Sequence, residues 1–300
     1  MRSIRFLARE GSYPKPMDGE EIIELFGKRM RDIGIEKSVV LPTAMLSLPK
    51  AKPDFEAAVA KSYLEYMIEN FLGRYPQIHT LIYAPTNSPR KAGELVERYG
   101  SEKGIAGVMI SGSSRSLAGN SSWDQIYEAA GKEKLPVCFH GDRELSGSFE
   151  GLDFVGAHAL SFPFSLIRQL TSLVLSGVPE RFPELKFVFM EGGVIWLPWL
   201  INRLDDEYMK RRIEAPLLTK PPGEYIKNFY YTSQPLEQSH PEMLKPVFEL
   251  MDFENHLLYA SDYPHWDFDV PSVIYDLPFL SKRAKEKILC KNAQRILRLN

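Results

Sequence analysis

Between residues 37 and 260 the chain repeats one pattern seven times: a short apolar run, an exit marked by polar residues or proline, and usually a stretch with helical spacing. The runs are residues 37–41, 78–83, 105–110, 136–140, 185–190, 228–232 and 257–260. Strands separated by helices pair in parallel through crossovers, so the pattern predicts a parallel sheet with helices packed outside it. The count is one short of the eight strands that close a (β/α) barrel. A doubly wound sheet alternates in the same way, but its Gly-rich GxGxxG turn is absent, as is a GxxxxGK[ST] phosphate loop. The expected fold is therefore α/β, a (β/α)8 TIM barrel incomplete or rearranged at its first strand. No low-complexity linker divides the sequence, so residues 1–300 read as a single domain.

Helical spacing is expected over residues 19–34, 55–75, 88–99, 123–134, 165–175, 195–213 and 241–251, with further pieces over 282–289 and 292–299. Asp54 and Ser239 stand where N-caps would be. A formal net charge of -2 gives no basic excess for nucleic acid or an anionic membrane. No apolar run is long enough to span a bilayer, and the opening MRSIRFLAREGS lacks a secretory core. Cys138 and Cys290, the only cysteines, lie in no ligand spacing, which points to a reducing, cytoplasmic setting.

In such a barrel the chemistry sits where strands end, and here those ends supply Ser111, His140, Glu191, Gln234 and Asp262. The last is presented by LLYASDYPHWDFD, residues 257–269, in which Pro264 bars a central strand from continuing. Strand alternation would put Leu258, Ala260 and Asp262 on one face. Imidazole and carboxylates are the ligands of catalytic zinc, which turns bound water into a nucleophile. His140, Glu191 and Asp262 can supply three ligands, or two ligands and a base. Each of them alone reads equally well as a hydrogen-bonded residue at a strand exit. His265, three residues after Asp262, is placed to act as acid, base or substrate contact. His158 reads as a capping or packing residue, and His79, His240 and His256 as structural. Trp196 and Trp199 read as core, and Cys138 as an unactivated thiol beneath His140.

Taken in order, VCFHGD, the run from Val178 to Lys186 leading into FMEGGVIWLPWLINRLDDEY, then YYTSQPLEQ and LLYASDYPHWDFD, resemble the amidohydrolase-related family of TIM-barrel metal-dependent hydrolases. Within it they are most similar to the branch containing aminocarboxymuconate semialdehyde decarboxylase. The likeness extends from about Tyr13 onward. It implies a divalent metal ion, zinc being expected, held by a strand-five His and a strand-eight Asp, which carry over to His140 and Asp262. It also implies a His-x-His or related pair on a first strand, yet no histidine precedes Lys37. Some members have a His where this chain has Glu191. The expectation is either a start downstream of the family's usual one or a weakened metal site, with weak or partial metal occupancy.

Metal-dependent hydrolysis of a small organic substrate leads, with Asp262 as ligand and proton acceptor, His140 as ligand, and Glu191 or His265 moving protons. Nonoxidative decarboxylation of a small carboxylic acid is the alternative, and a barrel kept as a scaffold is the third reading. The resemblance, together with Trp266 on an apparent loop, points to a homo-oligomer.

Overall fold

The computed structural model describes residues 19–142, 149 and 151–299. The irregular opening expected before residue 19 lies outside them. Seven parallel strands form one sheet in the order of the sequence. They are β1 (Ser38–Val40), β2 (Ile78–Tyr83), β3 (Ile105–Ser111), β4 (Val137–His140), β5 (Phe187–Met190), β6 (Tyr230–Thr232) and β7 (Leu257–Leu258). Every residue of β2 to β7 is buried, as expected when helices cover one face and side chains fill the other.

Register decides which side chains meet. Pairing of Phe139 with Phe189 and of Phe189 with Tyr231 stacks three rings, with centroids 5.2 and 5.9 Å apart. The same register places His140 beside Ser111 on β3 and Met190 on β5, each the last residue of its strand. Alternation then sends Val188, Met190 and Thr232 toward the interior, where all three line one cavity.

The helices form largely where periodicity places them. The first, α1 (Gly19–Asp32), carries Glu20 and Glu21 in its first turn and Arg29 and Arg31 in its last, matching its dipole. The next are α2 (Pro53–Asn70), α3 (Pro89–Tyr99) and α4 (Asp124–Lys132). Pro53 and Pro89 open α2 and α3 at positions where a missing N–H costs nothing. Asp54 is therefore not the cap of α2; that place belongs to Lys52, and Asp54 pairs with Lys91 at 2.7 Å. Ser239 likewise yields the cap to His240. Helix α5 (Phe154–Leu175) starts eleven residues before the expected boundary at Ser165, because Pro163 sits within it without ending it. His158 thus lies inside the helix. It stacks near Phe162 and Trp266, with ring centroids at 4.9 and 5.6 Å.

Beyond the four-residue α6 (Val178–Arg181), α7 (Leu197–Arg211) buries Leu197, Leu200 and Ile201. Trp199, expected in the core, is 58% exposed, and Trp196 is half-buried with its indole N–H donated to the Gly192 carbonyl at 2.7 Å. Among the described residues β1 and β7 are the two ends of the strand ladder. A cavity of about 690 Å³ is lined by both, and by all four residues His140, Glu191, Asp262 and His265.

Candidate metal centre

His140 is the last residue of β4, and its side chain is buried. Its Nδ1 faces the Gly141 carbonyl at 2.5 Å; a carbonyl only accepts, so Nδ1 carries the hydrogen and Nε2 points the other way. Nε2 meets Glu191 Oε2 at 2.8 Å. Burial works against charge on this imidazole. The Glu191 carboxylate, the Gly141 carbonyl and Asp262 outweigh it and hold His140 up at about 9.

Glu191 follows β5 directly and adopts a left-handed backbone, φ 58°, ahead of Gly193 at φ 68°. The glycines here are required by space as well as by conformation. A Cβ on Gly141 would stand 2.2 Å from the Glu191 carbonyl oxygen, and one on Gly192 would stand 2.4 Å from Leu166. The β4 and β5 exits can approach this closely only because Gly141 has no side chain.

Asp262 also stands on left-handed backbone, φ 57°, four residues past the end of β7. The strand is only two residues long, so the alternation expected through Ala260 to Asp262 does not hold. Instead the segment 258–265 turns along the cavity, which all of its residues line. Asp262 Oδ1 contacts His265 Nδ1 at 2.7 Å. Burial and the nearby Glu191 carboxylate raise Asp262 to about 7, against the pull of His265 and His140. His265 is raised in turn by its bond to Asp262, which outweighs its own burial.

Glu191, Asp262 and His265 offer ligand atoms that all lie within 4.8 Å of one another. Two carboxylates and an imidazole, with His140 Nε2 in contact with one of the carboxylates, form a donor set that suits a divalent ion. The sequence grouped His140, Glu191 and Asp262 as ligands; the structure gathers Glu191 and Asp262 with His265, while His140 stands outside that trio, against Glu191. Of the other strand exits, Gln234 lines the cavity, whereas Ser111 does not. Its hydroxyl is taken up by Asp142 Oδ2 at 3.0 Å and the Leu46 carbonyl at 3.2 Å. His79 lies within β2, buried with Nδ1 unpartnered, and His256 packs against Asp252 and Tyr230, in keeping with structural roles. Sequence reasoning passed over Thr232 and Glu237, whose side chains accept backbone N–H groups of residues 191 to 195. Nothing local marks either residue, because their partners are some forty positions away.

Residues 15–299 match the family model described as Amidohydrolase. The chain belongs to that family and is an enzyme. Solved structures share its fold. A 5-carboxyvanillate decarboxylase from Sphingomonas paucimobilis superposes with a TM-score of 0.76 at 21% identity, over 95% of this chain and 84% of that one. A dihydroxybenzoic acid decarboxylase from a Polaromonas species, holding manganese and the inhibitor 2-nitroresorcinol, gives 0.76 at 18% identity over 95% and 87%. An amidohydrolase from Mycobacterium avium subsp. paratuberculosis gives 0.78 at 19% identity over 92% and 74%. Among the described residues no helix is long and apolar enough to cross a membrane.

Proposed function

We propose that this protein is a metal-dependent, nonoxidative decarboxylase of a small aromatic carboxylic acid. The observation that carries the reading is the convergence of Glu191, Asp262 and His265, with His140 against Glu191, at one end of a single large cavity. Hydrolysis leads on sequence alone, but several solved structures with this fold are decarboxylases of aromatic acids, which favours carbon dioxide release.

Asp262 and His140 would hold a divalent ion, with Glu191 or His265 as the third ligand. The manganese held by several of those structures favours manganese over the zinc expected from sequence. Such an ion supplies Lewis acidity and orients a carboxylate. The chain's own residues do the rest. Asp262 in its protonated form, held by His265, would deliver the proton to the ring carbon as the carbon–carboxylate bond breaks and its electron pair stays on the ring. The substrate carboxylate and the Asp262 proton become carbon dioxide and the neutral arene, and the negative charge is left on the Asp262 carboxylate, so charge and atoms balance. Among the described residues the ladder has seven strands, with β1 and β7 at its ends beside the cavity, in keeping with a barrel incomplete or rearranged at its first strand. Fewer ligands then mean weaker metal binding than in a complete site. Trp266, 40% exposed on the loop after Asp262, supports a homo-oligomer, which light scattering would test.

The deciding experiment incubates the manganese-loaded protein with 2,6-dihydroxybenzoate and with 5-carboxyvanillate in D2O. The expected result is carbon dioxide release with one deuterium on the vacated ring carbon. Absence of carbon dioxide from either acid, together with turnover of a simple ester or amide, would return the hydrolytic reading to first place.

A further inference from the structure

Glu191 is a non-glycine residue on left-handed backbone, an unfavourable conformation that survives only where the surroundings enforce it. Most of the groups that enforce it come from the segment around the β6 exit. Thr232 Oγ1 accepts the Glu191 N–H at 3.1 Å. Five residues on, Glu237 Oε2 accepts the Val194 N–H at 3.0 Å, and Oε1 takes the Ile195 N–H at 3.4 Å. The carboxylate lies flat on the turn: a Cβ on Gly193 would stand 2.2 Å from Glu237 Oε1. The Trp196 indole closes the same turn on the Gly192 carbonyl.

Glu237 itself does not line the cavity, and residue 237 is exposed at the surface while its head packs on the turn. A carboxylate is the right group for this place, since two N–H donors need two acceptors and a carboxylate has no competing donor. Charge-assisted bonds of this kind are about twice as strong as neutral ones. Groups that orient a metal ligand without touching the ion commonly control affinity by about 10- to 100-fold.

We propose that Glu237 is a positioning residue for Glu191, clamping the turn over residues 192–195 so that the Glu191 carboxylate faces His140 and the cavity. The proposal rests on Glu191 serving the metal centre. Its test uses the full chain and manganese alone, titrated by the loss of the free-ion electron paramagnetic resonance signal. Glu237→Gln, which sets an amide donor against an N–H donor, should weaken binding by at least about 10-fold, close to the loss from Glu191→Gln. The double variant should bind within about twofold of Glu191→Gln alone, because Glu237 acts only through Glu191. Glu237→Ala should reproduce the single-variant loss, and crystals of it should show the 2.8 Å contact between His140 and Glu191 broken.

Wild-type affinity in Glu237→Gln, or losses that multiply in the double variant, would overturn the assignment. If the wild-type protein binds no manganese, the metal reading fails by itself and the crystals decide. Glu191 displaced in Glu237→Ala then upholds the clamp, and Glu191 unmoved refutes it.

Discussion

Asp262 and Glu191 both stand on left-handed backbone, and glycine and alanine substitutions expose what that costs. Asp262→Gly and Asp262→Ala remove the same carboxylate and the same bond to His265, so the difference between them isolates the conformation at φ 57°. Left-handed backbone costs alanine roughly 1–2 kcal/mol and glycine almost nothing. Glycine gives back about 0.5–1 kcal/mol through the larger entropy of its unfolded chain. The net expectation is that Asp262→Gly is more stable than Asp262→Ala by about 0.5–1 kcal/mol. At Glu94, in the middle of α3 and exposed, the order should invert, alanine winning by about 1 kcal/mol. Urea unfolding followed by circular dichroism measures both pairs, and in a melt the gap at 262 should be on the order of 2 °C. Asp262→Ala as stable as Asp262→Gly, with Glu94 behaving normally, would show that the site is not held in this strained form.

Asp262→Ala should abolish manganese binding and turnover, while His256→Ala, packed against Asp252 away from the cavity, should leave both nearly unchanged; an isothermal titration of each variant checks this. Gly141→Ala should destabilise the fold by about 1–3 kcal/mol and separate His140 from Glu191, since the new methyl meets the Glu191 carbonyl at 2.2 Å; chemical denaturation and a crystal structure report the two effects. Of the two cysteines, exposed Cys290 should react with Ellman's reagent in the native protein, whereas Cys138, whose thiol is buried and pushed up by that burial, should react only after denaturation.

The strands were legible because each is a short apolar run ended by proline, glycine or a polar residue, and β2 falls on the expected residues 78–83. His140, Glu191 and Asp262 stand out for the same reason, being polar groups at or just past the ends of apolar runs. What the sequence hid is set by distant contacts. The start of α5 was missed because Pro163 reads as a breaker while the structure carries the helix through it. Trp199 was misplaced because helical spacing puts it beside Leu200, and only the packing of α7 shows it turned outward. Ser111 left the site because Asp142 claims its hydroxyl, and Glu237 entered the account because its bonds cross forty-two and forty-three positions to the turn after β5.

The claim on which everything else depends is that one divalent ion binds at the end of this cavity. Diffraction from crystals soaked in manganese, recorded at the manganese edge, tests it without reference to any substrate. The account predicts a single strong anomalous peak within about 2.0–2.4 Å of an Asp262 oxygen and of at least one of His140, Glu191 and His265. A peak bound elsewhere on the molecule, or none at this cluster under saturating manganese, would contradict it.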